Sequence, residues 1–294
     1  MAAVGAPAWA AHAQLDGFTT EEAERAPVSA RFVSERSALV AGRINILGVI
    51  FDMEPEWHIY WPGQNDTGMP TVISLGLPEG FEAKDTVFPA PHRYVSPGDL
   101  LDHVYEGPTL VIVPVFVPTS VTNGDVVTIT ADAEWLMCRE ACIPGFAEGL
   151  EITLPVVNSP GATSRTEEWD QFRETRKRTA RPVGSALGTI ETSVDRSGNG
   201  ATVTISAERA RKLAFYPDAG SVEVRELLAA GEAEGDRLSL ALGTITEERG
   251  TLSGVLEVWG PGDEPPSRVY RIKLPLSEAA EKEGSGAVSP DSDS

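Results

Sequence analysis

The sequence predicts an all-β protein built as two β-sandwich units joined by a short helix. Three observations carry this. Short apolar runs rich in β-branched residues recur along the chain, separated by glycine and proline, of which the 294 residues hold 28 and 22. A single stretch near the middle has helical periodicity instead. The length suits two domains at about 100 to 150 residues each.

Residues 1–27 are set apart from the first unit. The opening thirteen are mostly small and apolar and end in Ala11-His12-Ala13 before Gln14, the form of a secretory cleavage site. A basic stretch ahead of them is missing, so an irregular N-terminus is the competing reading. The first unit spans 28–160, with strands expected at Val28 to Val33, Ala38 to Met53, Thr71 to Leu75, Thr109 to Val117, Val126 to Trp135 and Gly149 to Pro155. The run Leu110-Val111-Ile112-Val113-Pro114-Val115-Phe116-Val117, closed by Pro118, is the strongest of these. It is strand-sized, far short of the roughly 18 to 20 apolar residues that a membrane helix needs.

Residues 161–183 form the predicted connecting helix, read over Ser164 to Ala180. Glu167, Glu168, Asp170 and Glu174 lead and Arg173, Arg176, Lys177 and Arg178 follow, a charge order that suits the helix dipole, and Pro182 ends it. The second unit spans 184–276, with strands expected at Gly188 to Val194, Ala201 to Ser206, Ser221 to Arg225, Arg237 to Leu242, Thr251 to Trp259 and Arg268 to Leu274. Residues 277–294 lack apolar periodicity and read as a disordered acidic tail.

The formal net charge of −20 repels phosphate backbones and anionic lipid head groups, which argues against nucleic-acid or electrostatic membrane partners. A protein partner fits better. Chemistry concentrates in Trp135-Leu136-Met137-Cys138-Arg139-Glu140-Ala141-Cys142-Ile143-Pro144, which holds both cysteines at the end of a predicted strand. A disulfide closing about five residues gains only about 2 kcal/mol from loop entropy. It is therefore a poor staple, and close cysteines exchange readily through a mixed disulfide. An inert local disulfide remains open, and so does a copper or zinc site using Met137 with His58, His92 or His103. No cofactor is expected.

A second segment, Trp57-His58-Ile59-Tyr60-Trp61 followed by the turn-rich residues 62–70, reads as a strand running into an exposed excursion. Its aromatics suit either plain core or a cover over a reactive sulfur. The stretch Gln64 to Gly68, with Asp66 inside it, is the candidate shield for Cys142.

These two segments, with Phe88-Pro89-Ala90-Pro91-His92-Arg93 and Tyr105-Glu106-Gly107 between them, resemble the N-terminal periplasmic region of the DsbD/ScsB thiol:disulfide interchange family over about residues 28 to 157. Phe215-Tyr216-Pro217 and Leu252-Ser253-Gly254 resemble the second region of its ScsB-like branch. The resemblance implies immunoglobulin-like sandwiches and a periplasmic location. It implies a redox pair, Cys138 and Cys142, that takes electrons from a membrane-embedded reductase and passes them to thioredoxin-like or disulfide-bonded proteins. Cytochrome c biogenesis and copper tolerance are the associated processes. By the same resemblance Cys142 forms the intermolecular disulfide and Cys138 resolves it, with Trp57, Tyr60, Trp61, Asp66, Tyr105 and Trp135 around them. The chain would then be one component of a protein-disulfide reductase. Glu56, His103 and the short cysteine spacing depart from the family pattern, and the family's membrane segment and thioredoxin-like domain have no counterpart in these residues. The rival expectation is a non-enzymatic interaction or copper-handling module.

Overall fold

Residues 26–185, 190–262 and 268–277 are described by the computed structural model. The reading of a secretory cleavage site at Ala11-His12-Ala13 falls outside these residues, and so do all but residues 26 and 27 of the N-terminal segment 1–27 and all but residue 277 of the acidic tail 277–294. The chain is all-β with little helix, as the sequence predicts.

The first unit packs two sheets. One has the order β1 (Val28–Ser34), β3 (Arg43–Met53), β9 (Thr109–Val117), β6 (Glu82–Ala83), with antiparallel neighbours. The other runs β2 (Leu39–Val40), β11 (Cys142–Val157), β10 (Val126–Cys138), β4 (His58–Tyr60), β8 (Leu100–Glu106), β7 (His92–Ser96), and β5 (Val72–Gly76) also pairs with β10. Alternate residues of the long strands meet between the sheets: Leu47, Val49 and Phe51 from β3, Val111, Val115 and Val117 from β9, and Ile129, Ala131, Ala133, Trp135 and Met137 from β10.

The opposite face of β3 and β9 is apolar too, because Ile50, Leu110 and Ile112 close around Phe172. Phe172 is fully buried and belongs to helix α1 (Trp169–Lys177). This helix is shorter than the Ser164 to Ala180 stretch that its charges suggest. Thr166 Oγ1 donates to the Ser34 carbonyl at 2.6 Å, and Arg36 bridges Arg165 as paired extended chain, so residues before Trp169 are held along β1 rather than coiled. At the far end Arg178 donates to the Ala90 carbonyl at 2.8 Å, which draws the chain away from the helix.

The second unit has a five-stranded sheet, β12 (Arg181–Pro182), β19 (Arg268–Pro275), β18 (Thr251–Trp259), β15 (Lys212–Pro217), β16 (Glu232–Glu234), and a three-stranded one, β13 (Ile190–Ser197), β14 (Gly200–Ala207), β17 (Arg237–Ala241). A short helix, α2 (Leu227–Ala230), precedes β16. Ser221 to Arg225 is not a strand. Its amides go to two different partners, Val222 to Thr251 and Arg225 to Ala241, so no ladder forms, while Val222 and Val224 are buried in the second core.

The five-stranded sheet is buried on both faces. Leu213 and Phe215 of β15 enter the second core, whereas Ala214 and Tyr216 enter the first, which is why Leu213-Ala214-Phe215-Tyr216 is an unbroken apolar run. Trp61 meets Tyr216 edge-on at 6.4 Å, and Gln64 donates from Nε2 to the Ser221 carbonyl at 3.1 Å and from its amide to the Pro217 carbonyl at 2.9 Å.

Candidate functional site

Strands β10 and β11 form a hairpin whose last paired residues are Cys138 and Cys142. The reading that starts a strand at Gly149 misses half of β11, because Pro144 and Gly145 look like breakers. In the hairpin Pro144 faces Leu136, and Gly145 faces Trp135, whose indole fills the space a side chain would take: a Cβ there would lie 2.4 Å from Nε1. Close approach of this kind is what strand glycine permits.

The two cysteines are joined as a disulfide across Arg139-Glu140-Ala141. They differ in exposure. Cys138 is 3% exposed, whereas Cys142 stands exposed at the hairpin tip. Strand β4 pairs with β10 beside them, with His58 opposite Cys138. Two residues on, on the same face, Tyr60 donates its hydroxyl to Cys138 Sγ at 3.1 Å and stands 3.9 Å from Cys142 Sγ.

His58 Nε2 lies 3.4 Å from the Tyr60 hydroxyl. The hydroxyl has one proton; once it is given to sulfur, the Tyr60 oxygen is left to accept from the Nε2–H tautomer of His58. Burial pushes the His58 pKa down, against the pull of Glu106 and Asp102, so the ring is neutral near pH 7. Burial, with Asp102 adding to it, raises the Tyr60 pKa, so the phenol keeps its proton. Tyr94 of β7 covers this group with its ring 4.6 Å from His58, and it packs with Leu136 against Tyr60, Val104 and Cys138.

The residues singled out from sequence separate into two sets. Cys138, Cys142 and Tyr60 come together, and Trp57 stands at the rim with the Arg139 guanidinium 5.4 Å over its ring. Trp135 lies on the opposite face of the hairpin, edge-on to Phe51 at 5.3 Å. Trp61 meets His103 at 5.9 Å, Tyr105 donates to the Pro89 carbonyl at 2.7 Å, and Asp66 accepts from the Leu101 amide at 2.7 Å; all three stabilise the frame rather than touch sulfur.

Within residues 64–68 it is Gly68 that lies against the Tyr60 ring, and Cys142 itself stands exposed. Thr67 donates its amide at 2.9 Å and its hydroxyl at 2.5 Å to buried Asp102, and a Cβ on Gly68 would stand 1.8 Å from the Tyr60 ring. The three histidines weighed as ligands are dispersed: His58 beside Tyr60, His92 on Arg178 at 3.1 Å, and His103 on the Gln64 carbonyl at 2.7 Å. Among the described residues no group of three or more His, Cys, Asp or Glu is placed to hold a metal ion. Tyr94 and the sulfur-side role of His58 escape a linear reading; the signal available was the spacing His58-x-Tyr60, which puts both on one face of a strand.

Residues 29–153 match the family model described as Thiol:disulfide interchange protein DsbD, N-terminal. Over that stretch the chain is similar to the N-terminal domain of DsbD. The crystal structure of the N-terminal periplasmic domain of ScsB from Proteus mirabilis superposes on a longer part of the chain. It covers 86% of this chain and 96% of that one, at a TM-score of 0.54 and 14% identity. At that identity the likeness is one of fold, and it extends beyond residues 29–153 into the second sandwich. A pilin fragment from Streptococcus agalactiae, with a TM-score of 0.25 and 6% identity over 87% of this chain and 95% of its own, is too distant to carry an argument. Spo0M from Bacillus subtilis, with a TM-score of 0.19 and 10% identity over 88% and 94%, is equally distant. No curated protein matches the chain. Among the described residues no helix is long and apolar enough to cross a membrane.

Proposed function

We propose that the chain is an exported, periplasmic thiol-disulfide exchange module, and that Cys138 and Cys142 carry two electrons from a membrane-embedded reductase to thioredoxin-like or disulfide-bonded proteins. The observation that supports this best is the asymmetry of the disulfide: one sulfur exposed at a hairpin tip, the other buried under a hydroxyl donor. The attacking thiolate of a reduced donor bonds to Cys142 Sγ. The Cys138–Cys142 bond breaks, and its electron pair leaves on Cys138, where the Tyr60 hydroxyl meets the new charge. The donor's second thiolate then attacks its own sulfur in the mixed disulfide, releasing Cys142 as a thiolate and the donor as a disulfide. In the second half Cys142 attacks a substrate disulfide, and Cys138 resolves the intermediate, restoring the bond seen here.

Placing the leaving group at Cys138 assigns Tyr60 its task. A hydrogen bond to a charged sulfur is stronger than one to a neutral disulfide, so the hydroxyl favours the transition state and the reduced product over the oxidised ground state. The acidic chain is matched to protein partners that present basic or neutral surfaces.

Mixed-disulfide trapping tests the reading. A Cys138→Ser variant expressed in the native envelope leaves Cys142 without its resolving partner, so adducts through Cys142 should accumulate and release a thioredoxin-fold or disulfide-bonded protein on reduction. A Cys142→Ser variant should accumulate far fewer. Equal trapping by the two variants, or none by either, would count against the assignment.

A further inference from the structure

The second sandwich bears on the redox pair through one strand of the first. Strand β7 is the edge of its sheet, paired to β8 with Arg93 opposite His103 and Tyr94 opposite Asp102. Adjacent residues of a strand point to opposite faces. On one face Tyr94 lies over His58, in the group that holds Cys138. On the other face Arg93 leaves its own domain. Its Nη2 donates to the carbonyls of Leu228 at 2.7 Å and Leu227 at 3.2 Å, its Nε is 3.8 Å from a Glu232 carboxylate oxygen, and its side chain is only 12% exposed.

The second sandwich is shaped to receive it. Leu227 and Leu228 lie in α2; the Leu227 carbonyl also takes the Gly231 amide at 2.8 Å, and Leu228 is one of the closing carbonyls that a helix end leaves for donors from elsewhere. Gly231 follows, and a Cβ there would stand 2.4 Å from Arg93 Nη1, so glycine opens the space the guanidinium occupies. The same inner face carries Trp61 and His103, which meet Tyr216 edge-on at 6.4 and 5.2 Å. The β4–β8–β7 end of the sheet thus has the second sandwich as its inner layer and the cysteine cluster on its outer one.

We infer that the second sandwich sets the reactivity of the redox pair: by clamping Arg93 it fixes β7 and so holds Tyr94 over the His58–Tyr60–Cys138 group, which keeps Cys138 covered while Cys142 stays open. Arg93 is in this account a positioning residue. The inference rests on the exchange reading above, and it gives the second sandwich a part in the same chemistry.

The test uses the full chain, reduced, and treated with limiting iodoacetamide. Trypsin cleaves after Arg139 and places the two cysteines on separate peptides, so mass spectrometry reads Cys138 labelling relative to Cys142. In the parent Cys142 takes most of the label. Tyr94→Ala is expected to raise the Cys138 share severalfold, and Arg93→Ala to raise it similarly. Arg93→Ala with Tyr94→Ala is expected to do no more than Tyr94→Ala alone, since both act on one cover. Gly231→Ala, whose methyl would press on the guanidinium and on the Leu227 carbonyl that it bonds, disrupts the clamp from the other side of the interface and should reproduce the rise even if Arg93→Ala does not fold. Arg176→Gln, which breaks an ion pair to Glu35 away from the site, should lower stability without moving the ratio. An unchanged ratio in Arg93→Ala and Gly231→Ala, or effects of Arg93→Ala and Tyr94→Ala that multiply, would overturn the inference. A failure of the exchange reading is distinguishable, because it removes trapped partners while leaving this ratio intact.

Discussion

Replacing Tyr60 by phenylalanine removes one hydroxyl and keeps the ring that packs edge-on to His58 at 5.4 Å. The atom lost is the donor 3.1 Å from Cys138 Sγ. Hydrogen bonds to charged groups are worth about 1.5–3 kcal/mol, and about 1.4 kcal/mol corresponds to one pKa unit. The Cys138 thiol is therefore expected to titrate about one to two units higher in the variant. The donor favours the reduced pair over the disulfide, so its loss should also lower the reduction potential by about 30–60 mV, at about 30 mV per 1.4 kcal/mol for two electrons. The sign depends on the phenol keeping its proton, which the raised Tyr60 pKa ensures through neutral pH. The assay is the pH dependence of ultraviolet thiolate absorbance in the Cys142→Ser background, with and without Tyr60→Phe, alongside equilibration of the intact pair in glutathione buffers. Superimposable titrations and equal potentials would refute the claim that Tyr60 stabilises the departing sulfur.

Other expectations follow from the interface and the frame. His103 is fully buried, and burial holds its pKa at about 4 against the usual 6.5, opposed chiefly by the Gln64 carbonyl. The unfolded chain therefore takes up a proton between pH 6.5 and 4 that the folded chain refuses, and stability falls through that window by up to about 3 kcal/mol. Denaturant titrations at pH 7 and 4.5 should show a smaller loss in His103→Asn than in the parent, and equal losses would exclude His103 as a source. Gly68→Ala forces a methyl into the Tyr60 ring and should cost about 1–3 kcal/mol while reproducing the thiol titration of Tyr60→Phe; a normal titration would mean the loop does not position Tyr60. A fragment of residues 26–180 should be more stable than one ending at Pro160 by about 3–5 kcal/mol, the scale of deleting a buried Phe, because Phe172 packs into the first unit; equal denaturation midpoints would contradict that packing.

Where a strand's burial is apolar and its ends carry breakers, the sequence alone locates it. Thr109–Val117 and Thr251–Trp259 are read residue for residue, the first closed by Pro118 and the second followed by Gly260-Pro261. Leu100–Glu106 is not, because Asp102 and His103 sit in its middle. Both are buried, and the partners that make this tolerable, Thr67 and the Gln64 carbonyl, lie some 35 residues earlier in the chain. The cysteines are legible in the site because they lie four residues apart, whereas Tyr60, 78 residues from Cys138, enters it through the aromatic segment and the family resemblance. Tyr94 and His58 join them only through the pairing of β10, β4, β8 and β7, and Arg93 finds its partners at residues 227–232. The two-unit reading also hides that β15 serves both cores, since a run buried on both faces has the same pattern whichever layers cover it.

The central claim, that Cys138 and Cys142 exchange with other thiols instead of merely closing a hairpin, is tested most directly by redox equilibration. The full chain is incubated in graded ratios of reduced and oxidised thioredoxin, quenched with acid, and the fraction of dithiol is read by mass after alkylation. The account predicts a two-electron curve reached from both the oxidised and the reduced side, with Cys138→Ser stopping at a mixed disulfide through Cys142. A pair that stays oxidised across the series, with no adduct at Cys142, would contradict it.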